Sequence, residues 1–161
     1  MQQPKFILAA LLTALLGACA TQPAAAPESV AQTIAHQPQL STLNGLVVQA
    51  GLTEMLATGG PMTVFAPTND AFKAVPAKTM DELAHNPAQL KALLSYHVLP
   101  ARVASMDVKN GSAKTANGAE VALSRAGQFV TVEDAVVQTA DIAATNGVVH
   151  TVDRVLMPPR R

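Results

Sequence analysis

The chain is poor in the residues that usually advertise a site. Among 161 residues there is one cysteine, Cys19, and no tryptophan. A single thiol cannot close an intramolecular disulfide, so an exported domain of this sequence must be stable through its core alone. Aromatic residues make up 3% of the chain. Beyond the apolar N-terminus they are Phe65, Phe72, Tyr96 and Phe129. Formal net charge is zero, so no basic surface stands ready to release counterions from a polyanion, and stacking platforms are too few for single strands. These absences argue against nucleic acid as a partner, and the scarcity of rings also weakens a sugar-stacking site. Long apolar runs are missing too. The longest, Phe6–Leu16, is well short of the roughly 20 residues that cross a bilayer. His36, His85, His97 and His150 show no metal-binding spacing such as H-E-x-x-H, and neither G-x-S-x-G nor a phosphate-binding G-x-x-x-x-G-K-[ST] occurs. Composition and motifs therefore predict no enzyme and no cofactor.

What is present begins at the N-terminus. Lys5 precedes the apolar run Phe6–Leu16, the pattern of a cleaved export signal. The run ends in Leu16-Gly17-Ala18-Cys19, which resembles a bacterial lipobox. Such a motif implies diacylglycerol on the Cys19 thiol and cleavage just before it, and small residues ahead of the cysteine let the chain enter the peptidase. An ordinary cleaved signal after an Ala-x-Ala-like site is the alternative. The expected division is a lipoprotein-type signal over 1–18, a lipidated Cys19 and flexible tether over 19–27, and one folded domain over 28–159. The tether sequence Ala20–Pro27 is small residues and proline, unable to bury a core. No acidic residue follows Cys19 directly, which in a Gram-negative cell favours the outer membrane. Removal of the signal takes away Lys5 and leaves ten basic residues against eleven acidic ones.

About 130 residues suffice for a single core. Helical periodicity fills the first half: Ser29–Ala35 with Ser29 as cap, Gln39–Ala50 stopped by Gly51, and a short turn over Leu52–Ala57. Met62–Ala66 reads as a strand, ended by Pro67, with Thr68 or Asn69 capping a short helix. Pro76 and Pro87 read as first-turn prolines of helices over Lys78–Leu83 and Ala88–Tyr96. After Pro100 the pattern turns to strands, at Arg102–Val103, Ala113–Ala116, Glu120–Leu123, Phe129–Val132, Val136–Ile142 and Val148–Leu156. Turn pairs Asn110-Gly111, Asn117-Gly118, Ala126-Gly127 and Asn146-Gly147 punctuate them. Helices first and strands later, with one early strand, predict an α+β fold.

Three ordered blocks sharpen this: Thr63–Phe72 (TVFAPTNDAF), the pair Tyr96-His97, and Asn146–Pro159 (NGVVHTVDRVLMPP). Together they resemble the signature blocks and central Tyr-His pair of the fasciclin domain over about Glu28–Pro159. The resemblance implies a twisted β-wedge or sandwich, joined by the early strand, with the N-terminal helices packed against it. It also implies adhesion rather than catalysis, with a cell-surface or matrix protein or polysaccharide as partner and the membrane held through lipid at Cys19. In that family the Tyr-His pair is linked both to fold integrity and to receptor binding, so Tyr96 and His97 are candidates for either role. Asp141-Ile142, in TADIAATNG, is similar to the Asp-Ile of the family's proposed integrin-contact motif, although Thr139 and Ala140 depart from the longer animal pattern. An aspartate closing a loop beside a buried isoleucine is the structural alternative. The second functional reading is a periplasmic envelope protein that binds a small or lipidic ligand or a protein partner.

Overall fold

The computed structural model describes residues 27–159. The expected signal, Cys19 and nearly all of the tether lie outside them. Among the described residues, six helices come before most of the strands: α1 (Val30–His36), α2 (Ser41–Gln49), α3 (Thr53–Thr58), α4 (Asn69–Lys73), α5 (Ala77–His85) and α6 (Pro87–Tyr96). The strands are β1 (Met62–Pro67), β2 (Val98–Leu99), β3 (Gly111–Lys114), β4 (Glu120–Ala126), β5 (Phe129–Val132), β6 (Ala135–Ala144) and β7 (Gly147–Val152). They form one mixed sheet in the order β2-β1-β7-β6-β5-β4-β3. β1 runs parallel to β7 in the register Phe65↔His150, and the other pairs are antiparallel.

Local chemistry accounts for the element boundaries. Ser29 opens α1 through a reciprocal capping box with Gln32. Gly51, at φ +68°, supplies the left-handed turn after α2. Thr68 rather than Asn69 caps α4. Asn69 instead reaches across to α2, accepting from the Thr42 amide at 3.0 Å and donating to the Pro38 carbonyl at 3.0 Å. Pro87 occupies the first turn of α6 as expected, whereas Pro76 stands one residue ahead of α5.

Two cores follow from the two faces of β1. Val64 and Ala66 join the helical layer with Ile34, Leu43 and Leu90. Phe65 faces the other way, into a β-lined cluster with Tyr96, Val121, Val132 and Val152. Every residue of β1 and β7 is buried, as a strand pair covered on both sides requires. A Cβ on Gly147 would collide with the Met62 carbonyl oxygen, so only glycine permits the two strands to start side by side.

The late strands follow the expected order with corrections to their bounds: β3 is Gly111–Lys114 rather than Ala113–Ala116, and β7 ends at Val152, short of Leu156. The short strand near residue 100 is Val98–Leu99, because it pairs with Thr63 and Val64, while Arg102–Val103 is loop. Asn110-Gly111 opens β3 rather than turning a hairpin; the Asn110 side-chain oxygen accepts from the Arg125 amide at 2.7 Å.

Candidate functional site

The sequence singled out four residues, and the structure sends them to different environments. Tyr96, at the end of α6, is only 2% exposed. Its hydroxyl lies 3.1 Å from the Glu120 carbonyl oxygen and 3.3 Å from Glu133 Oε1, donating across the pair. Burial first, then the Glu133 carboxylate and its hydrogen bond, push the phenol up to about 12. Glu133, although exposed, is tied into this network through its carboxylate. It sits at φ +52° in the turn between β5 and β6, and its Oε1 also accepts from the Ala122 amide at 2.7 Å.

His97 is 1% exposed. The Leu156 amide donates to Nε2 at 3.0 Å, so that nitrogen carries no proton, and Nδ1 donates to the Leu93 carbonyl at 2.8 Å. Burial pulls this imidazole down to about 4, against the smaller opposing effect of the Leu93 carbonyl. The ring thus stays neutral near pH 7 and ties the C-terminal segment to α6. Neither Tyr96 nor His97 presents surface that a partner could touch, and Tyr96 takes no part in a patch with Asp141.

Asp141 and Ile142 lie on β6, where the register against β7 slips between Thr139 and Ile142. Asp141 sits at φ +58°, a left-handed backbone that a short polar side chain tolerates better than most. Its backbone amide donates to His150 Nδ1 at 3.1 Å. One carboxylate oxygen accepts from the Ser105 amide at 2.7 Å and the other from the Ser105 hydroxyl. Partial burial raises its pKa, but the two Ser105 bonds and the nearby His150 outweigh that and hold the carboxyl below its usual range. Ile142 is half-buried against the helical core.

Asp141 is one of several fasteners on a single segment, the loop from Pro100 to Asn110. Thr63 Oγ1 donates to the Ala101 carbonyl at 2.7 Å and accepts from the Val103 amide at 2.8 Å. His150 Nε2 donates to the Val103 carbonyl at 2.8 Å while its ring stacks on Phe65 with centroids 5.7 Å apart. Arg125 holds the Met106 carbonyl at 2.8 Å and the Gly127 carbonyl at 2.9 Å. Sequence reading missed this loop because its holders come from β1, β4, β6 and β7. The one available signal was a cluster of polar residues (Thr63, His150, Thr151) inside otherwise apolar strands.

A second feature had no sequence signal at all. Leu83, Ala92, Leu93, Met157 and Pro158 line a groove of about 480 Å³ between α5, α6 and the chain end, with Glu82 and Gln89 at its rim. That volume suits a small ligand. Among the described residues no group of three or more His, Cys, Asp or Glu could hold a metal ion.

With this geometry in hand, comparison with known proteins decides the family. The fasciclin domain pattern matches residues 38–158. The chain belongs to the fasciclin domain family. Protein sll1483 of Synechocystis is 38% identical over 133 residues, covering 81% of this chain and 74% of that protein. The cell surface glycolipoprotein MPB83 of Mycobacterium bovis is 34% identical over 139 residues, covering 83% of this chain and 62% of that protein. Among solved structures, the fasciclin domain pair of the insect cell adhesion molecule Fasciclin I superposes with a TM-score of 0.65 at 14% identity, covering 81% of this chain. The chain spans 51% of that pair, one domain's worth. The fasciclin fold is the shared property: helices packed on one mixed, strongly curved sheet.

Proposed function

We propose that this chain is an exported fasciclin module, lipid-anchored to the cell envelope through Cys19, that binds a protein or polysaccharide of a cell surface or matrix and catalyses nothing. The observation that carries the reading is the fasciclin match over 38–158 behind an N-terminus of lipoprotein type, joined to kinship with a relative named as a cell surface glycolipoprotein. Lipid at Cys19 would array many copies on one membrane, and multiplicity supplies avidity that one domain lacks. Of the four expected contact residues, Asp141 and Ile142 are the two with surface to offer.

Binding of the protein to intact cells and matrix components tests this, with protease shaving of whole cells to show whether the domain faces outward. Asp141→Ala would be compared with Ser105→Ala, after circular dichroism confirms that both fold. Loss of saturable binding in Asp141→Ala alone assigns the carboxylate to the partner. Equal loss in both assigns the effect to the displaced loop, and no binding by the wild type to any surface sinks the adhesive reading.

The groove between α5 and α6 favours one second reading, an envelope protein that takes up a small apolar or lipidic ligand. Ala92→Trp would fill it. The expected result is loss of a fluorescent fatty-acid probe that the wild type binds; undiminished binding removes the groove from consideration.

A further inference from the structure

A notch of about 370 Å³ opens at the end of the sheet where β1 and β7 begin. Three pieces of chain meet there. The β6–β7 turn brings Thr145 and Asn146, the lead into β1 brings Gly60, and the segment after β2 brings Arg102. Register explains the meeting. Met62 lies beside Gly147, and β2 runs back along β1 with Leu99 opposite Thr63, so the chain leaves β2 toward the start of β1. Thr63 Oγ1 then fixes the backbone on both sides of Arg102, donating to the Ala101 carbonyl at 2.7 Å and accepting from the Val103 amide at 2.8 Å. A Cβ on Gly60 would lie 2.7 Å from the Asn146 carbonyl oxygen, so a larger residue would close the notch at its floor.

The polar groups of the notch fall into two sets. The Asn146 side chain is committed to Leu56, Gly59 and Val30, and the Thr58 hydroxyl donates to the Glu54 carbonyl at 2.9 Å. The Arg102 guanidinium, the Thr145 hydroxyl and the Gly60 amide find no acceptor among the described residues. Arg102 is also the one charged side chain in the lining. Glu28 and Asp141, which flank the notch on the N-terminal segment and on β6, are engaged by His36 and by Ser105. Uncommitted donors around a guanidinium, with no carboxylate among them, suit an oxyanion, and the planar fork of arginine matches two phosphate oxygens at once. The entering chain is held at the same turn: the Thr145 amide donates to the Glu28 carbonyl at 2.8 Å. From Cys19 to Glu28 the chain can extend at most about 30 Å. Thr145 lines the notch and bonds the end of the tether, so the notch stays close to any membrane that holds Cys19.

We propose that this notch takes the phosphate of an anionic phospholipid in the membrane that holds the anchor, with Arg102 supplying the charge and Thr145 and Gly60 the neutral donors. The proposal rests on the lipid-anchor reading and deepens it. Lipid at Cys19 provides attachment, and the notch decides which end of the domain faces the bilayer. One exposed guanidinium holds a phosphate weakly in water, so the contact depends on the tether, which keeps the notch at about millimolar effective concentration among the headgroups. Free inorganic phosphate offers the same chemistry, and experiment separates the two sources.

The isotope-labelled chain is purified from the membranes of an expressing cell, and mass spectrometry for diacylglycerol on Cys19 tests the anchor first. The protein then enters nanodiscs of phosphatidylcholine, whose ammonium neutralises its own phosphate, or of phosphatidylcholine mixed with phosphatidylglycerol. NMR follows the Arg102 Nε–H and the Gly60 amide. The expected result is that both resonances shift in the phosphatidylglycerol discs relative to phosphatidylcholine alone, and that Arg102→Gln abolishes the Gly60 shift. Arg102 makes no bond to the fold through its side chain, so this variant folds, and its unchanged amide spectrum elsewhere verifies that. Shifts from added inorganic phosphate as well as from phosphatidylglycerol leave the assignment standing, because the same donors serve both. Saturable shifts with inorganic phosphate and none with phosphatidylglycerol overturn the membrane lipid as occupant. No shift with either, or a Gly60 shift that survives Arg102→Gln, overturns the site and leaves the anchor standing. An unmodified Cys19 overturns the anchor, and the headgroup assignment falls with it.

Discussion

His97 shows how a polar residue becomes part of a core. Its ring is buried, yet both nitrogens are paired, so the desolvation of the imidazole is offset by two hydrogen bonds. His97→Ala removes the ring and leaves the Leu156 amide and Leu93 carbonyl without these partners. A loss of about 3 kcal/mol is expected in chemical denaturation. The lowered pKa also fixes a pH dependence. The folded protein holds this group near 4 and the unfolded chain near 6.5, so the unfolded state binds more protons between those values. The stability His97 contributes is therefore complete above about 6.5 and drains as pH falls through about 4, on the order of 3 kcal/mol in all. Denaturant midpoints from pH 7 to pH 4 should fall more steeply for wild type than for His97→Phe, which cannot titrate. Asp141 behaves in the ordinary carboxylate sense, its depressed pKa giving stability that is lost on acidification. Asp141→Ala should cost about 1–2 kcal/mol, because an unfavourable left-handed backbone loses the bonds that compensate it. Asp141→Asn, which tolerates that backbone and keeps an acceptor, should cost less.

Among the elements, the parallel pairing of β1 with β7 does the most to organise the fold. It joins strands separated by some eighty residues, and its first step is set by Gly147. Gly147→Ala places a methyl against the Met62 carbonyl and should destabilise by about 3 kcal/mol, read as a fall in thermal midpoint. Asn146 works next to it as a three-way tie. Its Nδ2 donates to the Leu56 carbonyl at 2.9 Å and the Gly59 carbonyl at 2.6 Å, while its Oδ1 receives the Val30 amide. Asn146→Ala should cost about 2–3 kcal/mol, from several buried-edge bonds broken at once. Hydrogen exchange in α1 and α3 should rise more than exchange in β4, since all three bonds fasten the helical side to the sheet. Asn146-Gly147 was legible as a turn from the sequence. Its second use, pinning two helices to the sheet, was not, because local turn chemistry says nothing about partners ninety residues away.

At the scale of the whole molecule, the C-terminal segment is the piece whose removal tests the architecture. Leu156 enters the β-lined core, its amide closes on His97, and Met157 and Pro158 wall the groove. Truncation before Leu156 should lower the unfolding midpoint and abolish probe binding in the groove together; loss of one without the other would separate core from groove. Sequence by itself determined a great deal here. Periodicity and turn residues placed the helices, the early strand and the late meander, because those signals act within a few residues of one another. The paired faces of Val64 and Phe65 were readable for the same reason, since alternation along a strand is local. The ordered blocks determined the family, because a shared fold constrains the same positions in each member. Tertiary structure alone decided which polar residues are available. Tyr96 and His97 sit inside, Asp141 is occupied by Ser105, and Glu133 bonds inward, since each depends on neighbours brought from distant strands. The same long-range placement created the groove between α5, α6 and the segment after β7. Nothing in the local pattern of its lining residues carries that information, because proximity between distant elements is a property of register and topology.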